Sequence, residues 1–196
     1  MKVYTIQTVA FYKELLQNGV AYCNQESWMC HEYRLQYDWM AEQMRKRIGE
    51  PPFAGIKYPL WVWLQCESKK RPAPTMSPSE IQDGEEQAVM LELNVPDDTV
   101  LLSDFMLWHL PLNHGAICTK HESKEYEKCS PENQKERMLT TWERIFDLDM
   151  RDPYLTMTRR KNRSIQGTIW LLRKEWLIVT HIFNRHSEIK RIAQIS

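Results

Sequence analysis

Residues 88–113, AVMLELNVPDDTVLLSDFMLWHLPLN, constrain the fold more than any other stretch. Val89, Leu91, Leu93 and Val95 alternate with Met90, Glu92 and Asn94, the period of two expected of a strand with one face on a core. Pro96-Asp97-Asp98 then stops the strand, because proline has no N–H for a ladder and aspartate bonds its own backbone. Val100-Leu101-Leu102 reads as a short buried continuation. Ser103 or Asp104 stands where an N-cap belongs, ahead of a helix carrying Phe105, Leu107, Trp108 and Leu112. Glu92, Asp104 and His109 gather beside Trp108, so the stretch is also the first place to look for a site.

The flanking sequence supplies further elements. Lys2 to Thr8 reads as a β-branched and aromatic strand, and residues 9–18 as a helix with Phe11, Leu15 and Leu16 as its stripe. Asn18-Gly19 suits a left-handed C-cap, with a short strand at Val20-Ala21-Tyr22. Residues 33–48 place Leu35, Trp39, Met40, Met44 and Ile48 on one helical face. Tyr58 to Cys66 is an aromatic strand, whose Pro59 suits the start of a strand or an edge. A helix over 132–146 is expected, then an irregular stretch over 147–162, strands over 165–172 and 177–183, and a turn between them. Residues 67–87 and 114–132 read as polar loops. Together these predict one α+β domain over 1–196, with a mixed or antiparallel sheet of about six strands and three to four helices.

Charge narrows the function classes. The net charge is zero, which argues against a dedicated nucleic-acid binder, yet residues 151–196 hold ten Lys/Arg against three Asp/Glu. The densest basic run, Arg159-Arg160-Lys161-Asn162-Arg163, is either a solvated loop or a phosphate-binding edge. No run of apolar residues is long enough for a membrane span, and MKVYTIQT lacks a signal-peptide core. Five cysteines (Cys23, Cys30, Cys66, Cys118 and Cys129), an odd number, suit reduced thiols in a cytoplasm. The eight tryptophans must share a core or line a pocket.

Glycine-rich phosphate loops, GxSxG and HExxH are all absent. His114, Cys118, His121 and Cys129 have the most metal-like spacing, but their order matches no common zinc finger, so no metal is expected. Cys23, Cys30 and His31 are a weaker set still. Asp104 and His109 stand close enough on a helix for the carboxylate to orient the imidazole, or simply to cap and to pack.

The segments VYTIQT at 3–8, YPLWVW at 58–63, LELNVPDDTVLLSDFMLWHLPLN at 91–113, WERIFDLD at 142–149 and IQGTIWLL at 165–172 resemble a bacterial family known only as a domain of unknown function. More distantly the chain is similar to ADP-ribosyltransferase-like folds. The resemblance rests on the strand, helix and glycine of Tyr4 to Gly19, on Trp61 and Trp63 in a central strand, and on Gln166-Gly167-Thr168 as a closing motif.

That second resemblance implies an NAD- or nucleotide-binding cleft in which Trp61 or Trp63 stacks, Tyr4 and Gln7 anchor polar groups, and Gln166 orients the ribose. Trp108 and His109 would lie nearby. Thr168 stands where such a fold carries its catalytic glutamate, so the acid would be Asp104 or Glu92. The target would be a nucleic acid or a protein. A non-enzymatic module, binding nucleic acid or an acidic partner through the basic C-terminal third, is the alternative of a different class.

Overall fold

The computed structural model describes residues 1–23, 32–186 and 188–193. β1 (Lys2–Thr8) opens the chain, and the Thr8 hydroxyl accepts the Phe11 N–H at 3.1 Å to start α1 (Val9–Asn18). Gly19, at φ 75°, closes that helix in the left-handed region, and β2 (Val20–Ala21) follows. α2 (Arg34–Ile48) buries Trp39, Met40 and Met44, and β3 (Leu60–Gln65) comes next. β4 (Gln87–Asn94), a single 3-10 turn and β5 (Leu101–Asp104) lead directly into α3 (Phe105–Leu112). Asp104 is the N-cap, accepting the Leu107 N–H at 3.0 Å.

After α3 come α4 (Lys120–Tyr126), α5 (Pro131–Thr141) and a 3-10 segment over Trp142–Phe146. β6 (Ile165–Ile169), β7 (Leu172–Arg173), β8 (Leu177–Asn184) and β9 (Ile189–Ala193) complete the described elements. The strands form a seven-stranded sheet in the order β5-β6-β3-β1-β4-β8-β9, and β2 pairs with β7 alone. Every pairing is antiparallel. No described helix is long and apolar enough to cross a membrane.

Both sheet faces are buried against something different. Val3, Val62, Val89, Leu91 and Leu93 point to the side covered by Tyr12 and Leu15 of α1 and by Leu172. On the other side, Leu101 and Trp61 meet Trp39, Met40, Leu107, Trp108 and Trp142 from the helices. Farther along that face Tyr4, Ala88, Met90 and Phe183 pack under Ile81 of the 67–87 loop. A two-sided core explains why Met90 is as buried as Val89, against the simple alternation.

The α+β reading and the boundaries up to β5 agree with expectation, and the differences lie in the second half. Residues 114–132 are not simply a loop. Thr119 and Glu122 form a reciprocal capping box that starts α4, and Pro131 opens α5. β9 extends the sheet beyond the strand expected at 177–183. Residues 165–172 divide into β6 and β7, which join different sheets.

Gly167 sits where neighbouring side chains close over the strand. A Cβ there would lie 2.6 Å from a Val100 methyl and 3.2 Å from Leu102. Gly167→Ala should therefore cost about 1–3 kcal/mol in urea denaturation, while Gly55→Ala, where a Cβ meets nothing, should leave the midpoint unchanged.

Arg144 grips Glu122 with two bonds of 2.5 and 2.6 Å. That contact, with the Thr119 N–H, holds the Glu122 carboxyl at about 2 rather than its ordinary 4.5. A depressed acid stabilises the fold above its unfolded value and loses that contribution as pH falls toward the folded one. The stability gap between wild type and Glu122→Gln, about 1 kcal/mol for a partly exposed pair, should close as pH is lowered from about 5 to about 2.

Candidate functional site

The sheet register sets several of the suspected residues in one line. Ser103 pairs with Gln166, Gln166 with Trp63, Trp63 with Tyr4 and Tyr4 with Glu92. Directly opposed residues of an antiparallel pair share a face, so these five side chains form one cross-strand row on the side opposite α1. The row runs from a closed end to an open one. Ser103 and Gln166 are buried, and among the described residues the Ser103 Oγ, the Gln166 Nε2 and the Trp61 Nε1 have no hydrogen-bond partner.

At the open end a cleft of about 550 Å³ is lined by Lys2, Tyr4, Gln65, Lys69, Arg160 and Lys161, with Leu64 and Pro72. Four cations from three distant segments thus line one cleft together with an aromatic residue. Lys2 and Tyr4 lie two residues apart on β1, so they share a face, and the Lys2 Nζ lies 5.4 Å from the centre of the Tyr4 ring. The loop residue Lys69 is tied to the basic run, because its N–H donates to the Lys161 carbonyl at 2.8 Å.

Buried bonds hold the run itself in place. Gln65 Nε2 donates to the carbonyls of Arg160 and Arg163, each at 2.6 Å. The Arg163 side chain turns inward, only 3% exposed, and pairs with Asp104 at 3.3 Å. It also donates to the carbonyls of Thr158 and Met150. Arg159-Arg160-Lys161-Asn162-Arg163 is therefore divided: Arg163 is internal, Arg160 and Lys161 face the cleft, and Arg159 is exposed.

Glu92 stands opposite Tyr4 on the neighbouring strand. It accepts from Lys2 at 2.6 Å and lies 3.4 Å from the His181 Nε2. Burial pushes its carboxyl up, but Lys2 and His181 outweigh burial and hold it below the ordinary value. The same hydrogen bond raises Lys2. Arg160 is offset in part by Asp149 at 3.5 Å. Among the described residues, neither Lys69 nor Lys161 has an acidic side chain within ion-pair distance.

The other suspected residues do not line the cleft. Trp61 is packed between Tyr37 and Trp108, at 6.2 and 5.5 Å between ring centres. Trp63 meets Phe105 edge-on at 4.8 Å. Thr168 is fully buried, its hydroxyl on the Leu101 carbonyl and the Met40 sulfur. Gln7 points to the α1 side, donating to the Thr5 hydroxyl. Asp104 and His109 do not meet, since Asp104 is held by Arg163 and the Leu107 N–H, while the His109 ring lies 2.9 Å from the Phe105 carbonyl.

The four metal-like residues also part company. His114 contacts Gln36, Cys118 is buried, His121 is exposed beside Glu125, and Cys129 accepts from Arg137 at 2.9 Å. Among the described residues no group of three His, Cys, Asp or Glu could hold a metal ion. Cys30 and His31 lie outside the described residues.

Sequence reasoning missed Lys2, Gln65, Lys69 and His181. Only register and loop path bring positions 2, 65, 69 and 160 together, and neither leaves a local signature. The model of a family described as a domain of unknown function (DUF3841) matches residues 2–131. No curated protein and no solved structure matches the chain.

The buried ion pair gives a direct test of how the basic run is held. Asp104→Ala leaves the Arg163 charge unpaired in the interior and removes the α3 cap, and should cost about 3–5 kcal/mol in chemical denaturation. Asp104→Asn, which keeps a capping oxygen, should cost less. In Asp104→Leu/Arg163→Met the unpaired charge is gone, so the double variant should lose less than the sum of the two single ones.

Proposed function

We propose, for a chain that belongs to the DUF3841 domain-of-unknown-function family, that it binds a phosphorylated ligand of the nucleotide class in the Tyr4 cleft. The observation that carries this reading is the convergence of Lys2, Lys69, Arg160 and Lys161 on a cleft of about 550 Å³ beside one aromatic ring. Like charges crowded at one place repel, and an anion between them removes that cost. The volume falls within the range of small-molecule sites. Tyr4 lines the cleft with the small exposed part of a ring otherwise buried under Ile81, a wall for a base or a ribose.

NAD is the ligand of first choice. Its pyrophosphate suits the two ammonium groups without acidic partners, and Glu92, opposite Tyr4 in the sheet, is the carboxylate that Lys2 ties to the cleft. In an ADP-ribosyl transfer Glu92 would stabilise the positive charge that develops on the ribose as nicotinamide leaves. Lys2 and His181 keep it ionised for that role. A cytoplasmic setting, expected from the odd number of cysteines, would supply such a ligand.

A second reading rests on Arg159, which is exposed and adjoins the cleft residues Arg160 and Lys161. A nucleic-acid strand or an acidic protein segment would use all three. Salt separates the two readings. Affinity for a polyanionic strand falls steeply with ionic strength, whereas a nucleotide seated against Tyr4 is affected much less.

Titration calorimetry with NAD, ATP and a single-stranded oligonucleotide tests both. Lys69→Glu/Lys161→Glu should weaken nucleotide binding about 100-fold, the equivalent of two lost charge contacts. Glu92→Gln should leave NAD affinity within about threefold and abolish any NAD turnover. Unaltered nucleotide binding in the double charge reversal would sink the cleft as the site. Binding of the oligonucleotide alone, lost with Arg159→Glu, would leave the second reading standing.

A further inference from the structure

β6 runs from Ile165, beside Gln65 and the basic cleft, to Ile169, beside Leu60. Past that second end lies another pocket, of about 230 Å³, which the reading above does not use. Trp170, Trp176, Ile48 and Leu171 give it an apolar wall, and Glu50 and Arg173 supply groups of opposite charge. Trp170 is fixed. Its Nε1 donates to the Gly49 carbonyl at 2.9 Å, and the Arg45 guanidinium lies 5.7 Å from its ring. Gly49, at φ 91°, ends α2 in a conformation that glycine tolerates best, and so presents that carbonyl.

We propose that this pocket binds a free apolar α-amino acid. The side chain would lie against Trp170 and Trp176, the α-carboxylate would pair with Arg173, and the α-ammonium with Glu50. Three observations favour that occupant. The volume suits a single side chain and is too small for a nucleotide. The wall is aromatic and aliphatic, which fits an apolar side chain. The two charged residues have opposite signs, which matches an amphoteric ligand better than a simple anion or cation.

Glu50 and Arg173 have capacity to spare. Glu50 pairs with Arg45 at 3.4 Å and Arg173 with Glu175 at 3.8 Å, both at the solvent-exposed rim. A carboxylate accepts at several sites and a guanidinium has five N–H donors, so a second partner displaces neither.

The test is calorimetric titration of the intact chain with L-leucine, L-phenylalanine and L-tryptophan, alongside N-acetyl-leucine amide, which lacks both charges. Saturable binding of at least one amino acid is expected, with the neutral analogue at least about tenfold weaker. Arg173→Glu and Glu50→Lys, both at exposed positions, should each weaken binding at least about tenfold. Trp176→Ala should abolish it. Lys69→Glu/Lys161→Glu should leave it unchanged, which separates this pocket from the basic cleft. The proposal is overturned if none of the three amino acids binds saturably, if the neutral analogue binds as well, or if Arg173→Glu and Glu50→Lys bind as the wild type does.

Discussion

The ion pair between Asp104 and Arg163 ties the molecule together where its two halves meet. Asp104 ends β5 and caps α3, so its carboxylate already serves a helix that carries Leu107 and Trp108 into the aromatic core. Arg163 reaches it from the far side of a long irregular stretch and holds the carbonyls of Met150 and Thr158 at the same time. Two charges this deep are costly to bury, and the cost is offset because nearly every polar atom finds a partner. The backbone of residues 150–163 is thereby anchored to the sheet. Arg160 and Lys161 project from an anchored turn rather than from a solvated loop.

The second constraint is register. Antiparallel pairing sets Glu92, Tyr4, Trp63, Gln166 and Ser103 side by side, although they come from five strands spread over residues 4 to 166. A slip of one residue in any of those strands would turn its member of the row to the α1 side. Gly167 guards against such a slip in β6, since Val100, Leu102 and Val62 crowd the space a side chain would need. The positions of the basic cleft and of its one aromatic ring follow from that packing.

Much of this was legible in the sequence, and the boundary of legibility is physical. The alternation around Leu91, the Asp104 cap and the Asn18-Gly19 stop are local signals, decided within a few residues, and they fold as they read. The capping box at Thr119 and Glu122 was equally local but lay within a stretch of polar residues, where no apolar stripe announces a helix. Tryptophan chemistry was ambiguous, because a ring that stacks on a ligand and one that packs on Tyr37 look the same in one dimension. Trp61 is of the second kind. The basic run was visible, but which of its members face outward was not. That depends on Gln65 and Asp104, some 60 to 95 residues away along the chain.

The strand order has a consequence for how the chain comes together in time. β1 precedes the other strands of the sheet in the chain and lies at its centre, yet both its neighbours, β3 and β4, come tens of residues later. Synthesis up to α5 stops short of β6, the strand that joins β5 to the rest. A nascent chain released only that far would carry β5 with no strand beside it and β3 with one edge open, both apt to pair with another copy. Assembly therefore waits on residues 165–169, and a chaperone or a rapid finish to synthesis would matter more here than for a sheet built strand by strand.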